Sequence, residues 1–213
     1  MEHRPDQTRP PSRALPAIDF TRGPVFLIGP AHAGKSELAT EFMNLVSLNN
    51  LAAKGSLKTL VVGTADLRES GFKSRLDSLK KMRPGGWHTI EESRELASCL
   101  TRHREEYDCF VIDSLNQWIA ALLFYGVGKY SIEQIENQCY QEVDEILSWI
   151  SSFEKTPHQN LLLVSSEVAA GLSPQKSIER LFREVVGKLN QRVANLCTTV
   201  ISVTAGIPVV IKG

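Results

Sequence analysis

The chain has 213 residues, long enough for one α/β domain with a substantial core and short for two. Its 24 Lys and Arg balance 24 Asp and Glu with no block of like charge, which argues against a nucleic-acid-binding surface and leaves room for a local basic pocket. The four cysteines (Cys99, Cys109, Cys139, Cys197) form no CxxC pair, so neither a metal cluster nor a disulfide framework is expected, and a reducing, cytoplasmic setting fits best.

Residues 1–22 are rich in proline and arginine and lack the apolar core of a signal peptide. They read as a flexible leader to a single domain over 23–213. Val25–Ile28 ("VFLI") is the first interior strand, and Lys35–Leu51 the first helix. Thr59–Val62 is a second strand, followed by an irregular stretch from Ala65 to Thr89 that contains "RESGF" and "RPGG". A helix is expected over Glu91–Tyr107. The run "CFVIDSLNQWIAALLFYGVG" then gives a strand, Cys109–Ile112, and another helix. Its Asp113, Asn116 and Gln117 would be costly in a bilayer, so a membrane span is not expected. Helices over Ile132–Phe153 and Ser177–Leu196 flank a strand at Leu161–Val164, and Thr199–Val203 and Val209–Ile211 are the last two strand candidates. The first four strand runs are nearly all apolar, as in a parallel sheet covered on both faces. Strand and helix in alternation predict an α/β fold, a doubly wound, mainly parallel sheet of the P-loop NTPase kind.

The stretch "GPAHAGKS" fills the spacing G-x-x-x-x-G-K-S with Gly29, Pro30, Ala31, His32, Ala33, Gly34, Lys35 and Ser36. The glycines let the backbone turn so that successive amides face a phosphate. Lys35 would set a positive charge against the terminal phosphates and Ser36 a hydroxyl against Mg²⁺. The strand before and the helix after are the context such a loop needs, and the helix adds its positive pole. His32 reads as a solvent-facing filler. Asp113, closing the apolar run "CFVI", is the expected second magnesium ligand. Capping of the next helix is its competing role. A nucleoside triphosphate with Mg²⁺ follows from these parts; the reaction does not.

Three further stretches narrow it: "RLDSLKKMRPGGWHTIEE" (75–92), "LLLVSSEVAAGLSP" (161–174) and "ERLFREVVGKLNQRVA" (179–194). Together with the loop and "VIDSLNQWIAALLF", they make the chain resemble the bifunctional adenosylcobinamide kinase / adenosylcobinamide-phosphate guanylyltransferase family of cobalamin assembly, from about Val25 to Lys212. The resemblance implies phosphorylation of the aminopropanol hydroxyl of adenosylcobinamide by ATP or GTP. GMP would then be transferred through a guanylyl-histidine, in a homotrimer. It also implies that Gly63, Thr64 and Ala65 lie beside the nucleotide. Lys80, Lys81, Met82, Arg83 and Glu91 would contact it, and Asp113 would complete the site.

One departure matters chemically. Where the family carries a histidine pair, this chain has Ser78 and Leu79, and no histidine occurs from Ala33 to Trp87. A phosphoramidate needs an imidazole nitrogen, which leucine lacks. His88, beyond the "RPGG" turn, is the nearest substitute. Phosphoryl transfer needs only positioning and charge, so the sequence keeps the kinase parts, with Lys35 and Asp113 as the catalytic pair, and lacks the transferase nucleophile. A non-catalytic nucleotide-binding protein, or a kinase for another small alcohol, remain the alternatives.

Overall fold

In a computed structural model, residues 15–54, 57–65, 83, 86–155, 159–168 and 174–213 are described. The strands are β1 (Val25–Ile28), β2 (Thr59–Gly63), β3 (His88–Glu91), β4 (Cys109–Asp113), β5 (Asn160–Val164), β6 (Thr199–Thr204) and β7 (Ile207–Lys212). They form one seven-stranded sheet in the order β3-β2-β4-β5-β1-β6-β7. All pairs are parallel except β6 with β7. The helices are α1 (Lys35–Lys54), α2 (Leu96–Arg102), α3 (Leu115–Gly126), α4 (Ile132–Ser151) and α5 (Ser177–Leu196).

The unbroken apolar strands have a direct cause: both faces of the sheet are buried. Phe26, Leu60, Val62, Phe110, Ile112, Leu161 and Leu163 pack into one core with α2 to α5. Their alternating neighbours Val25, Leu27, Val61, Val111, Leu162 and Val164 pack into a second core against α1. With side chains alternating across the sheet, each strand must be apolar at every position.

The two sides also explain where the site forms. From β1 the chain crosses under α1 to β2 on one side, whereas β6 joins the other edge of β1. Loops at the carboxyl ends of β1, β2, β4 and β5 therefore surround the crevice at which α/β sheets hold ligands.

Three expectations need correction. The irregular stretch expected to run to Thr89 gives way at His88 to β3, whose His88–Glu91 backbone pairs with Leu60–Gly63 of β2, and the helix expected over Glu91–Tyr107 is the shorter α2, since Glu91 is taken up by that sheet pairing. Residues 15–22, assigned to the leader, lie against the domain. Phe20 is buried beside Phe42, and Leu15 and Ile18 pack on the second core. Residues 1–14 lie outside the described part. The last strand is Ile207–Lys212 rather than Val209–Ile211, since Ala205 (φ 50°) and Gly206 (φ 79°) make a two-residue reverse turn into it. Ser177–Leu196 is helical as expected, and α4 begins with a reciprocal cap between Ser131 and Gln134.

All four cysteines are free and buried. Burial raises every thiol pKa, from an ordinary 9.0 to about 11 for Cys109 and about 12 for Cys139 and Cys197, with Cys99 also raised. A folded-state pKa above the unfolded one stabilises the fold fully below the unfolded value, and that contribution is lost as pH climbs through the folded one. The urea midpoint is therefore expected to fall between pH 9 and about 12, and thiol reagents should react with the native protein only on unfolding. A midpoint that holds across that window would contradict this.

Candidate active site

The loop between β1 and α1 closes as its sequence requires. Gly29 has φ +155°, and a side chain there would collide with the Val203 carbonyl of β6. Gly34 turns back at φ +89°. His32 takes a left-handed φ of 59° and is exposed, as expected of a filler. Neighbouring strands brace the loop. Glu167 N–H donates to Gly29 O (3.1 Å), and Gly206 N–H, in the β6–β7 turn, donates to Ala33 O (2.9 Å). Lys35 is buried, and its Nζ donates to the carbonyl oxygens of Gly29 (3.0 Å) and Pro30 (2.6 Å), which holds the ammonium at the loop's lip. The first turn of α1 points its positive pole at the same place.

Ser36, on that first turn, donates from Oγ to Asp113 Oδ1 at the end of β4 (3.1 Å). Two hard oxygen donors converge here, and this pair fits Mg²⁺, which keeps several other oxygens of its own. Asp113 is the last residue of its strand, and Ser114, not Asp113, is the N-cap of α3. Thr64 fixes the junction. Its Oγ1 donates to Ser114 O (2.6 Å) and accepts from Ser114 N–H (2.9 Å), while its own N–H donates to Asp113 O (3.2 Å).

The opposite wall is charged. Arg83 donates to Thr89 Oγ1 (2.8 Å) and lies in the field of Asp113 and Glu91. Burial lowers its pKa, and the two carboxylates pull it back up. The Glu91 carboxylate lies directly over Gly63, where an added Cβ would strike it. Gly63→Ala is therefore expected to displace the flexible Glu91 carboxylate rather than the backbone. Stability should change by less than about 1 kcal/mol while nucleotide affinity falls about three- to tenfold, measured by urea melts and calorimetry. Unchanged affinity would mean Glu91 plays no part.

These groups line a cleft of about 200 Å³. Of the expected residues, Ala31, His32, Ala33, Gly34, Lys35, Ser36, Gly63, Arg83, Glu91 and Asp113 surround it. Gly29 and Pro30 act on it through their carbonyls. Thr64 does not line it: it is fully buried beneath and works through Ser114. Ala65 faces a neighbouring hollow. Lys80, Lys81 and Met82, like Ser78 and Leu79, lie outside the described residues. Ser114, Asn116, Gln117 and Ser166 also line the cleft, and the sequence reading gave them no role there. The available signal was polar residues inside an apolar run. Asn116 is anchored by Ser166 N–H donating to its Oδ1 (3.0 Å), and Ser166 O in turn accepts from Asn190 Nδ2 (3.1 Å).

His88 is elsewhere. It begins β3, three residues and about 10 Å of strand before Glu91, with Nδ1 bonded to Tyr107 Oη at 2.6 Å. Its ring packs edge-on against Tyr107 (centroids 5.4 Å apart), at the end of the strand away from the cleft.

Residues 25–211 match the family described as cobinamide kinase / cobinamide phosphate guanyltransferase. The bifunctional adenosylcobalamin biosynthesis protein CobU of Salmonella typhimurium is 27% identical over 190 residues, 88% of this chain and 99% of its own. CobP of Pseudomonas aeruginosa, which carries the same bifunctional description, is 27% identical over 187 residues, 88% of this chain and 96% of its own. CobU of Escherichia coli is 26% identical over 190 residues, with 88% and 99% covered. The match spans the sheet, the glycine loop and the strand that ends in Asp113, and on it the chain belongs to the cobinamide kinase / cobinamide phosphate guanyltransferase family.

Proposed function

We propose that this chain is a kinase that transfers the γ-phosphoryl group of ATP or GTP to the aminopropanol hydroxyl of adenosylcobinamide, and that it lacks the nucleophile for guanylyl transfer. The observation that carries the kinase half is the 3.1 Å contact of Ser36 Oγ with Asp113 Oδ1, set beside the Lys35 ammonium at the mouth of a glycine loop.

The chemistry asks little covalent work of the protein. The acceptor oxygen bonds to the γ-phosphorus, the β–γ bridging oxygen departs with its electron pair as ADP or GDP, and the hydroxyl proton passes to solvent. The transition state spreads negative charge over the transferring oxygens, so fixed positive charge and aimed donors lower the barrier. Lys35 supplies the charge, and the loop amides and the α1 pole hold the phosphate tail. Ser36 and Asp113 would hold Mg²⁺, which when bound neutralises charge across the β- and γ-phosphates.

The transferase half rests on chemistry the sequence omits. Ser78 and Leu79 replace the histidine pair, and His88 is bonded to Tyr107 at the end of β3 away from the cleft. Incubation with ATP or GTP, Mg²⁺ and adenosylcobinamide should yield phosphorylated corrinoid by mass spectrometry, and His88→Ala should change the yield less than about twofold. Corrinoid that stays unphosphorylated at high enzyme concentration would refute the kinase reading.

A further inference from the structure

Past Asn116 the cleft meets a second hollow, of about 220 Å³, between α3 and α5. Ala120 and Ala121 floor it, Phe124 stands a turn further along α3, Phe182 reaches in from α5, and Ala65 closes the β2 side. Asn116 and Gln117 line both spaces. Positions 117, 120, 121 and 124 share one helix face, so the hollow runs about 10 Å outward from the phosphate cleft along α3. The core-facing side of the same helix carries large residues, among them Leu115, Trp118, Ile119 and Leu123. Toward the hollow the helix presents two adjacent alanines, Ala120 and Ala121, between Gln117 at the inner end and Phe124 at the outer end.

The mouth of the hollow has a defined polarity. Because Asn116 Oδ1 accepts the Ser166 N–H, its amide NH₂ is left as a donor. The hollow also lies on the terminal-phosphate side. Lys35 and the Ser36–Asp113 pair mark that end of a bound triphosphate, and Asn116 follows Asp113 by three residues. A base would lie at the opposite end of the tail. At about 220 Å³ the space is smaller than the roughly 300–1,000 Å³ of pockets that enclose a drug-sized ligand, so it admits an arm and not a macrocycle. Phe124 is 52% exposed and Val127 and Tyr130 are each 50% exposed, which extends apolar surface past the outer end for a larger body.

Building on the kinase reading above, we propose that this hollow is the acceptor subsite. It takes the short, amide-bearing aliphatic arm that ends in the reacting hydroxyl, with Asn116 donating to the arm's carbonyl oxygen. The test uses the full chain, Ala121→Leu to fill the hollow, and Phe124→Ala, an exposed position, as a second variant that leaves the core intact. Ala121→Leu should raise KM for adenosylcobinamide about tenfold and Phe124→Ala about threefold, with calorimetric Kd values for MgATP and MgGTP within about twofold of wild type. Unchanged KM in both variants overturns the proposal. So does a nucleotide Kd that weakens in step with KM, because the hollow would then hold the base. If the wild type phosphorylates a different small alcohol and not the corrinoid, the acceptor named above is wrong. The subsite then stands if the same variants raise KM for that alcohol, and falls if they do not. Turnover of no alcohol at all overturns both.

Discussion

Replacing Asp113 with asparagine is expected to lower kcat/KM about 10²- to 10³-fold with little loss of stability. Asparagine keeps the size and planarity of the side chain and removes its charge. The backbone at this junction is held by Thr64, through Ser114 and through the Asp113 carbonyl, and none of those bonds involves the side chain. What is lost is the anionic half of the oxygen pair formed with Ser36 Oγ. Steady-state kinetics beside a thermal melt separates the two effects. Lys35→Met removes the positive charge at the same end of the cleft and should cost a similar factor. An Asp113→Asn enzyme within about tenfold of wild type would show that this carboxylate is structural.

Trp118→Ala is expected to destabilise the fold by about 3–5 kcal/mol. Trp118 is fully buried in the core between α3 and the sheet, and its Nε1 donates to Arg94 O (3.1 Å). Truncation opens a cavity and also leaves a carbonyl without its donor. Trp118→Phe keeps most of the packing and loses only the bond, which should cost about 1–2 kcal/mol. The consequence reaches function, since α3 carries Asn116 and Gln117 into the cleft two and one residues before Trp118. Urea denaturation measures both variants, and a Trp118→Ala cost below about 1 kcal/mol would mean α3 is anchored by other contacts.

The glycine-loop half of the candidate site is legible in the sequence because its parts are local. A glycine loop with a lysine and serine, and an acid closing an apolar strand, are each visible within a few residues of sequence, although Ser36 and Asp113 are brought together from 77 residues apart. Asp113 was found at the right strand end, and Arg83 and Glu91 were reached by family resemblance. Asn116, Gln117 and Ser166 carry no such signal as cleft-lining residues, because their place depends on the start of α3 meeting the segment after β5 at the carboxyl ends of β4 and β5, and no short pattern marks that. β3 was missed for a related reason: four residues, His88–Glu91, become a strand only by pairing with β2. Phe20 was placed in the leader because proline and arginine dominate residues 1–22, yet a single aromatic beside Phe42 is enough to tie down the segment that contains it.

The account rests on one asymmetry: charge and geometry suited to moving a phosphoryl group, and no imidazole at the position that would carry a nucleotide. GTP labelled separately at the α- and γ-phosphates, incubated with the protein, Mg²⁺ and adenosylcobinamide, tests it directly. The account predicts γ-label in the corrinoid and α-label in neither the corrinoid nor the protein. Corrinoid free of γ-label, or α-label on either molecule, would contradict it.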